Sequence, residues 1–441
     1  MKNWNYKFEK NLSVNAFVSK FTQKNKIMSQ ETEGVYLSEA TITDFPPFVG
    51  KHKINFTHPD GRYQQWNVIL GNNNTGKTTL LKLLSGLSFL RSTNSVTDIA
   101  AFGNANVTRL LTSRHMDYSF KTIEGFFNDN ELKKYNLSYG QGGANISNSH
   151  SIIFYAYGLS RRMSSSDITG TTQKENNITP LFQDDYELNN AEEWLIQLDY
   201  AAKNGATNAK SVLEKLITVL TNGLLPDVKS IELISEFDEK TNNVRNYALF
   251  DTDYGEVRLK DLGYGYQSMM AWVVDLAKKM FERYPKLDNP LTGAAMVLVD
   301  EIDLHLHPDW QRKIISHLSG IFPHTQFIVT AHSPLIVQSA ENVNLIILEK
   351  GENNQTHIRQ EFGTFRGWTV EEILQDLMGL GDRTLSDTYL KLLKDFDEGL
   401  DEDNYEKAQA AYDALLPLLH PQSSQRKLLK LQLGAIAPAA V

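Results

Sequence analysis

The sequence predicts an α/β fold in which helices cover a mostly parallel β-sheet, and three observations support this prediction. A glycine-bounded loop at residues 71–78 joins a short apolar strand to a run of good helix formers. Two apolar runs, residues 296–299 and 327–330, have the length of buried strands. Helix and buried strand alternate from the end of a β-hairpin or meander at residues 231–259 to about residue 348. This alternation is typical of a parallel sheet that is covered on both faces.

The other segments complete the predicted organisation. Residues 1–34 are polar and predict an N-terminal extension. For residues 35–360 we predict a main domain that begins with the short strands of a β-subdomain. For residues 361–441 we predict a helical C-terminal region. Inside the main domain we predict a helical and loop insertion at about residues 100–230. In the C-terminal region, the predicted helix at residues 404–418 suits either a partner surface or the local core, and the sequence leaves this choice open.

The composition excludes several classes of protein. The longest apolar runs, such as residues 294–299, are far shorter than the roughly 20 residues of a membrane helix, and the first residues lack the apolar core of a secretory signal. No cysteine occurs, which excludes disulfide frameworks, thiolate zinc sites and a cysteine nucleophile. A formal net charge of −9 argues against a surface that is basic overall. We therefore expect a cytoplasmic protein that does not contact the membrane.

The loop at residues 71–78 has the sequence Gly-Asn-Asn-Asn-Thr-Gly-Lys-Thr and matches the phosphate-binding pattern G-x-x-x-x-G-K-[ST]. Its glycines let the backbone N–H groups face the phosphates, while Lys77 adds a positive charge and the Thr78 hydroxyl can ligate Mg²⁺. Chance would produce the pattern in on the order of 1 in 100 chains of this length, and the flanking strand and helix make coincidence rarer still. We predict that ATP with Mg²⁺ is bound by Asn72, Asn73, Asn74, Thr75, Gly76, Lys77, Thr78 and Thr79.

The buried strand at residues 296–299 ends in two carboxylates, Asp300 and Glu301. Adjacent residues at a strand end point in different directions, so one carboxylate can reach Mg²⁺ while the next faces the attacking water. We predict that Asp300 lies on the metal side, together with Thr78, and that Glu301 is the general base. The alternative is that both residues are merely the stabilising acids of a helix N-terminus.

Two further segments carry candidate residues. The strand at residues 327–330 leads to His332, whose neutral imidazole can hydrogen-bond the γ-phosphate or the attacking water and so sense the terminal phosphate. A histidine in this position is more often structural, but its place after the acidic pair favours the functional interpretation. Residues 262–268, Leu-Gly-Tyr-Gly-Tyr-Gln-Ser, enter a helix, and glycines at a helix start expose N–H groups to an anion.

The order of these motifs resembles that of ABC-type ATPases: phosphate loop, glycine-rich signature, Asp-Glu strand, then a strand that leads to histidine. In that family the signature of one protomer caps the γ-phosphate bound to the other, across a head-to-tail dimer. The resemblance therefore implies an ABC-type ATPase head in residues 35–360 and places Asp303 at the aspartate of the family's D-loop. The family usually has serine where this chain has Gly263, which leaves the hydroxyl contact to backbone N–H groups or to Ser268. The trans signature implied by the resemblance comprises Gly263, Gly265, Gln267 and Ser268.

Residues 300–308, Asp-Glu-Ile-Asp-Leu-His-Leu-His-Pro, are similar to the branch that contains RecF, OLD-family and related defence ATPases. Residues 155–162, which end in Arg161 and Arg162, resemble the same branch, where the arginine meets a phosphate or a neighbouring protomer; the alternative is an ordinary surface arginine. Within the branch, the chain resembles the ATPase subunit of Septu-type anti-phage systems, which pair the ATPase with a separate HNH nuclease. This resemblance covers roughly residues 35–350.

The resemblance implies an ATP-binding and ATP-hydrolysing regulatory subunit that controls a separate nuclease effector. Its partners would be a second copy of the chain, an HNH-type nuclease and, through the complex, nucleic acid. We expect neither SMC-like coiled-coil arms, because no sustained heptads occur, nor a nuclease centre, because no Toprim arrangement of acids follows His332. The alternatives are a RecF-like DNA-repair ATPase that binds DNA directly, which the negative charge disfavours, and the ATPase subunit of a transporter.

Overall fold

The structure is a computed structural model that describes residues 35–58, 61–88, 122–129, 134–140, 143–146, 153–164, 177–225, 227–240, 242–351, 355–381 and 385–437. The predicted N-terminal extension, residues 1–34, lies outside the described residues. The chain divides into two compact units, Met1–Trp368 and Thr369–Val441. Among the described residues, no helix is long and apolar enough to cross a membrane.

The first unit begins with a five-stranded antiparallel sheet. Its strands lie in the order β2-β1-β4-β5-β6, and their bounds are β1 Val35–Phe45, β2 Phe48–Asn55, β4 Thr122–Asp129, β5 Lys134–Gly140 and β6 Gly143–Ile146. Along β2, buried and exposed residues alternate over much of the strand, as expected where only one face of a sheet packs on the core.

Strands β4 to β6 correct our prediction for residues 100–230. We predicted helices and loops for this region, yet six strands lie within its described residues. Three of them, β4 to β6, extend the antiparallel sheet, and β4 pairs directly with β1. Helix occurs in the later part of the region, as α2 (Ala191–Lys203) and α3 (Thr207–Val219), followed by a π-helical turn at Leu220–Leu224. The strand pairing joins segments that lie far apart in the sequence, which a local pattern does not encode.

A six-stranded sheet carries the predicted motifs. Its order is β16-β15-β3-β14-β13-β7, and every neighbouring pair is parallel except β15 with β16. The strands are β3 Trp66–Gly71, β7 Phe154–Tyr157, β13 Ala295–Val299, β14 Thr325–Thr330, β15 Val343–Lys350 and β16 Thr356–Gly363. All residues of β3, β7, β13 and β14 are buried, which confirms the predicted parallel sheet covered on both faces.

Helix α1, Lys77–Ser85, lies between the two sheets. Four of its leucines are fully buried, and they belong to one core cluster that also contains residues of β1, β2, β3, β7, β13, β14 and β15. A helix that is apolar on more than one face suits this position, because both of its sides are covered. The phosphate loop that precedes α1 is thereby held at the carboxyl edge of the six-stranded sheet.

The remaining elements of the first unit flank the six-stranded sheet and its motifs. The predicted meander is present as β10 (Val228–Asp238), β11 (Asn243–Thr252) and β12 (Gly255–Arg258), while the short strands β8 (Arg162–Met163) and β9 (Glu187–Leu188) pair in parallel. The helices are α4 Tyr264–Arg283, α5 Pro308–Gln311, α6 Ile314–Ile321 and α7 Pro334–Ser339.

The second unit is helical, as predicted for the tail. It contains α8 (Val370–Glu372), a π-helical turn (Ile373–Leu377), α9 (Asp387–Asp401), α10 (Tyr405–Leu415) and α11 (Ser424–Ala435). Thr369 and Glu372 form a capping box at its start. Helices α9 to α11 bury their own small core around Phe396, Ala408 and Leu415. The helix predicted at residues 404–418 therefore contributes to this core along one face.

Candidate nucleotide-binding site

The phosphate loop has a backbone that requires both of its glycines. Gly71 has φ +152°, and a Cβ there would lie 2.8 Å from the Leu348 carbonyl oxygen. Gly76 has φ +98°, and a Cβ there would lie 2.7 Å from Pro47 Cγ. Helix α1 begins at Lys77 immediately afterwards, so the N–H groups of its first turn have no acceptor within the helix. The loop and the helix start together present donors suited to an anion.

The side chains of the phosphate loop separate into exposed and buried groups. Asn72, Asn73, Asn74 and Thr78 are exposed, whereas Thr75 is buried. The Thr75 hydroxyl donates a 2.8 Å hydrogen bond to the Asn72 carbonyl, so this side chain closes the loop. Most of the predicted binding side chains are therefore open to solvent, while Thr75 is buried and stabilises the loop from inside.

Lys77 folds back over the loop. Its ammonium group donates hydrogen bonds of 2.7 Å to the Gly71 carbonyl and 3.1 Å to the Asn72 carbonyl. Burial lowers the pKa of Lys77, while the negative charges of Glu301 and Asp300 raise it. The cation is thus held at the loop by neutral carbonyls, with carboxylates nearby.

Asp300 brings the two strongest motifs together. One carboxylate oxygen accepts a 2.7 Å hydrogen bond from the Thr78 hydroxyl, and the other accepts a 2.6 Å hydrogen bond from the Thr330 hydroxyl. The main-chain N–H of Asp300 donates to the Tyr157 carbonyl at 2.9 Å. Asp300 is therefore buried and fixed by three elements, with its carboxylate directed at the start of α1.

Glu301 points away from Asp300, as predicted for adjacent residues at a strand end. Its carboxylate oxygen lies 3.6 Å from His332 Nε2, and the two side chains are 30% and 38% exposed. The Glu301 backbone has φ +47°, in the left-handed region that non-glycine residues rarely adopt. Its main-chain N–H donates a 2.6 Å hydrogen bond to the Thr330 hydroxyl. The structure thus brings the predicted base and the predicted switch histidine side by side.

Asp303 has a local partner. It is 8% exposed, and its carboxylate accepts the main-chain N–H of His332 at 3.0 and 3.3 Å. The resemblance places Asp303 at the D-loop aspartate, which stays a prediction, and within its own chain Asp303 orients the segment that contains His332.

The predicted signature packs against the segment that follows the acidic pair. A Cβ at Gly265 would lie 2.5 Å from the His305 carbonyl oxygen, and the Tyr264 ring packs edge-on against the His305 ring with centroids 4.8 Å apart. Among the described residues, residues 262–268 form neither a hydrogen bond nor an ion pair with residues 71–79. The two motifs are therefore not joined by polar contacts within one protomer.

The residues of the predicted signature differ in exposure. Ser268 is 4% exposed, so its hydroxyl is not on the surface of this protomer. Gln267 donates its side-chain amide to the carbonyls of Leu262 and Lys260, at 2.8 and 3.2 Å. Gly263, at the start of α4, is exposed. Burial of the Ser268 hydroxyl thus favours the backbone N–H groups at the helix start as the donors of this signature.

Arg161 is the main site residue whose role the sequence left open. It is 3% exposed, its Nε donates a 3.0 Å hydrogen bond to the Gly158 carbonyl, and its Nη2 donates to the carbonyls of Asp300 and Glu301. Burial lowers the pKa of Arg161 to about 10, against the opposing effect of the nearby carboxylates. Arg161 is thus not a surface arginine, and its hydrogen bonds go to main-chain carbonyls.

Comparison with known proteins identifies the family. Residues 66–338 match a family described as "AAA domain, putative AbiEii toxin, Type IV TA system". The chain belongs to this AAA-domain family. The match begins at the strand that precedes the phosphate loop and ends in the helix after His332, so the AAA domain includes every motif described above.

Three relatives of this chain are named as Septu or retron proteins. A Septu protein PtuA of Bacillus thuringiensis is 41% identical over 193 residues, which are 42% of this chain and 48% of that protein. A second Septu protein PtuA, of Bacillus mycoides, is 27% identical over 361 residues, 77% of this chain and 45% of that protein. The "Retron Ec83 probable ATPase" of Escherichia coli is 33% identical over 148 residues, 34% of this chain and 26% of that protein. The chain spans about half or less of the length of each of these relatives.

The residues of the AAA domain suit ATP with Mg²⁺. The loop needs glycine at two positions where a Cβ would collide with its surroundings, as a loop that wraps closely around phosphate does. The Thr78 hydroxyl and the Asp300 carboxylate are hard oxygen donors that lie 2.7 Å apart, close enough to share one small cation of the kind that oxygen ligands bind.

Sequence reasoning missed Thr330. It lies at the end of β14, is fully buried, and bridges Asp300 and Glu301 through one hydroxyl. The sequence feature that could have indicated its role is a hydroxyl at the end of a buried apolar strand, two residues before His332. The sequence of β14 does not show that its neighbour in the sheet is the strand that ends in the acidic pair.

Proposed function

We propose that this chain is an ATPase of an anti-phage defence system, which binds ATP with Mg²⁺ at its phosphate loop and hydrolyses it. The observation that carries the proposal is the 2.7 Å hydrogen bond between Thr78 of the phosphate loop and Asp300 of the acidic strand end. This hydrogen bond joins the predicted phosphate loop to the acidic strand end, and the arrangement supports phosphoryl transfer to water.

Each site residue has a proposed role in ATP binding or hydrolysis. The N–H groups at the start of α1 and the ammonium of Lys77 bind the β- and γ-phosphates. Thr78 and Asp300 would hold the metal ion, which would neutralise charge on the phosphates. Glu301 accepts a proton from the attacking water, and His332, 3.6 Å from it, orients that water or the γ-phosphate.

The test is a comparison of Glu301→Gln with the unchanged chain. The substitution removes the proton acceptor and keeps the shape, so we expect ATP turnover to fall by about 100-fold or more while the affinity for ATP is kept. Turnover is measured by phosphate release and affinity by equilibrium titration. Equal turnover by the two proteins would remove Glu301 from its role.

We also propose that the complete site forms between two copies of the chain. Gly263 is exposed at the start of α4, and the described residues of the signature form no polar contact with their own phosphate loop. The helix start can therefore present N–H groups to a nucleotide on another protomer. Glu301→Gln with ATP should favour a dimer in multi-angle light scattering, and Lys77→Ala should not. A monomer for Glu301→Gln in saturating ATP contradicts the composite site.

The effector is proposed to be a separate protein, a nuclease of the HNH type, which this subunit controls. The support is the similarity to Septu proteins PtuA together with the resemblance of residues 300–308 to defence ATPases. Co-purification of the full chain with the products of its neighbouring genes, followed by a nicking assay with and without ATP, tests this. Direct DNA binding by the chain alone, without any co-eluting nuclease, would instead support the RecF-like alternative.

A further inference from the structure

Arg161 contacts the acidic strand end through the backbone. Its Nη2 donates hydrogen bonds to the carbonyls of two consecutive residues, Asp300 and Glu301, the second at 2.8 Å. Its Nε donates to the Gly158 carbonyl at 3.0 Å, so the guanidinium is anchored on its own loop. Among the described residues it forms no ion pair, so the guanidinium acts on the acidic pair through these carbonyls.

The contact stabilises an unusual backbone conformation. In an extended strand consecutive carbonyls point in opposite directions, but here two of them converge on one nitrogen because Glu301 has φ +47°. This left-handed conformation is unfavourable for a residue with a Cβ and persists only where the surroundings hold it. Arg161 holds the carbonyl side of Glu301, and Thr330 holds its N–H.

The direction of the Glu301 side chain depends on this conformation. Rotation of φ back to an extended value would move the Cβ, and with it the carboxylate that now lies 3.6 Å from His332. The carboxylate is about one-third exposed and no short hydrogen bond to it is present among the described residues. The backbone conformation of Glu301 is therefore what fixes the direction of its side chain.

We infer that Arg161 is a positioning residue for the Glu301 carboxylate, acting through the two carbonyls that it binds. The inference rests on the proposed role of Glu301 as the proton acceptor. Arginine suits the task because its planar fork reaches acceptors in two directions at once, which the single ammonium of lysine does not do. The charge remains available in the buried site because the arginine stays protonated at neutral pH.

The experiment measures Arg161→Lys in two backgrounds, the unchanged chain and Glu301→Gln. In the unchanged chain we expect kcat to fall by about 10- to 100-fold, as a small misplacement of a catalytic group does, with ATP affinity within about twofold because the residue does not contact the phosphate loop. In the Glu301→Gln background we expect no further loss in single-turnover hydrolysis, because the carboxylate that Arg161 directs is absent.

The neighbouring Arg162 supplies the matched control, since it is exposed. Arg162→Met should leave turnover and affinity unchanged. If Arg161→Lys does not fold, as judged by its unfolding midpoint, Arg161→Gln provides a second variant with a planar amide donor, and the same two comparisons apply.

Two results overturn the inference, and they are distinguishable. Equal losses in both backgrounds, or a loss of ATP affinity that matches the fall in kcat, would show that Arg161 does not act through Glu301. Turnover of Glu301→Gln at the rate of the unchanged chain would instead remove the proposed role of Glu301, and the inference with it.

Discussion

The hydroxyl of Thr330 accepts a 2.6 Å hydrogen bond from the main-chain N–H of Glu301. The same hydroxyl donates its own hydrogen to the carboxylate of Asp300 at 2.6 Å. One buried side chain on β14 therefore ties together the two acidic residues at the end of β13. This bridge fixes the relation between the residue proposed to hold the metal and the residue proposed to accept the proton.

Thr330→Val should lower both stability and turnover. Valine has nearly the same shape but leaves the Glu301 N–H and one Asp300 oxygen without their partner, which costs about 1–3 kcal/mol for a buried group. The unfolding midpoint and the rate of phosphate release measure the two effects. Thr330→Ser is the control, because it keeps the hydroxyl and should recover most of the turnover. Equal behaviour of the valine and serine variants would mean that the bridge does not matter.

Lys77→Ala should weaken nucleotide binding. The substitution removes a cation that would contact the phosphates, and a hydrogen bond to a charged group contributes about 1.5–3 kcal/mol, which corresponds to roughly a 10- to 150-fold rise in the dissociation constant. Titration with a fluorescent ATP analogue and Mg²⁺ measures it. Lys82→Ala, on the same helix, removes a lysine that lies over the Phe182 ring instead and should bind ATP normally. Unchanged affinity in Lys77→Ala would argue against phosphate binding at this loop.

The structure brings together the motifs whose signal lies in contiguous residues. The phosphate loop, the Asp300-Glu301 pair and the strand that leads to His332 each carry their signal in a few adjacent positions, and the parallel sheet brings their ends to one edge. The sheet was therefore predictable from local patterns, while the roles of the residues at its edge stay predictions.

The features that the sequence did not predict depend on partners far along the chain. Strand β4 pairs with the distant β1, while β5 and β6 extend the sheet from β4. The hydrogen bonds of Arg161 go to carbonyls that lie 139 and 140 positions further on. The sequence could have predicted the burial of Ser268, because the neighbouring Met269, Met270 and Trp272 indicate a helix that is covered on most sides.

Gly265→Ala should displace the proposed signature. A Cβ at this position would lie 2.5 Å from the His305 carbonyl oxygen, a main-chain atom that cannot rotate away. We expect a loss of stability of about 1–3 kcal/mol and, if the signature acts in trans, loss of the ATP-dependent dimer with unchanged ATP affinity. Unfolding and light scattering with ATP measure the two effects.

The control for that change is Gly367→Ala, which lies outside the proposed signature. No atom lies within 4 Å of a Cβ at Gly367, and its φ is outside the left-handed region, so alanine fits there without strain. This variant should keep both the stability and the dimer of the unchanged chain. If Gly265→Ala is as stable and as dimeric as Gly367→Ala, close packing against His305 has no part in the signature.

Lys279→Met tests a buried ion pair within helix α4. Lys279 Nζ lies 2.8 Å from Asp275 Oδ2, without the angle of a hydrogen bond, and the two side chains are 3% and 2% exposed. The same carboxylate accepts a 2.8 Å hydrogen bond from the Tyr157 hydroxyl on β7. Removing one member of a buried pair leaves the other charge uncompensated, so we expect a loss of about 3–5 kcal/mol in the free energy of unfolding. Urea unfolding measures this loss. The control is the adjacent Lys278→Met, at a half-buried position, which should lower the free energy of unfolding by about 1 kcal/mol or less. If the two variants lose the same free energy of unfolding, the ion pair with Asp275 contributes no stability of its own.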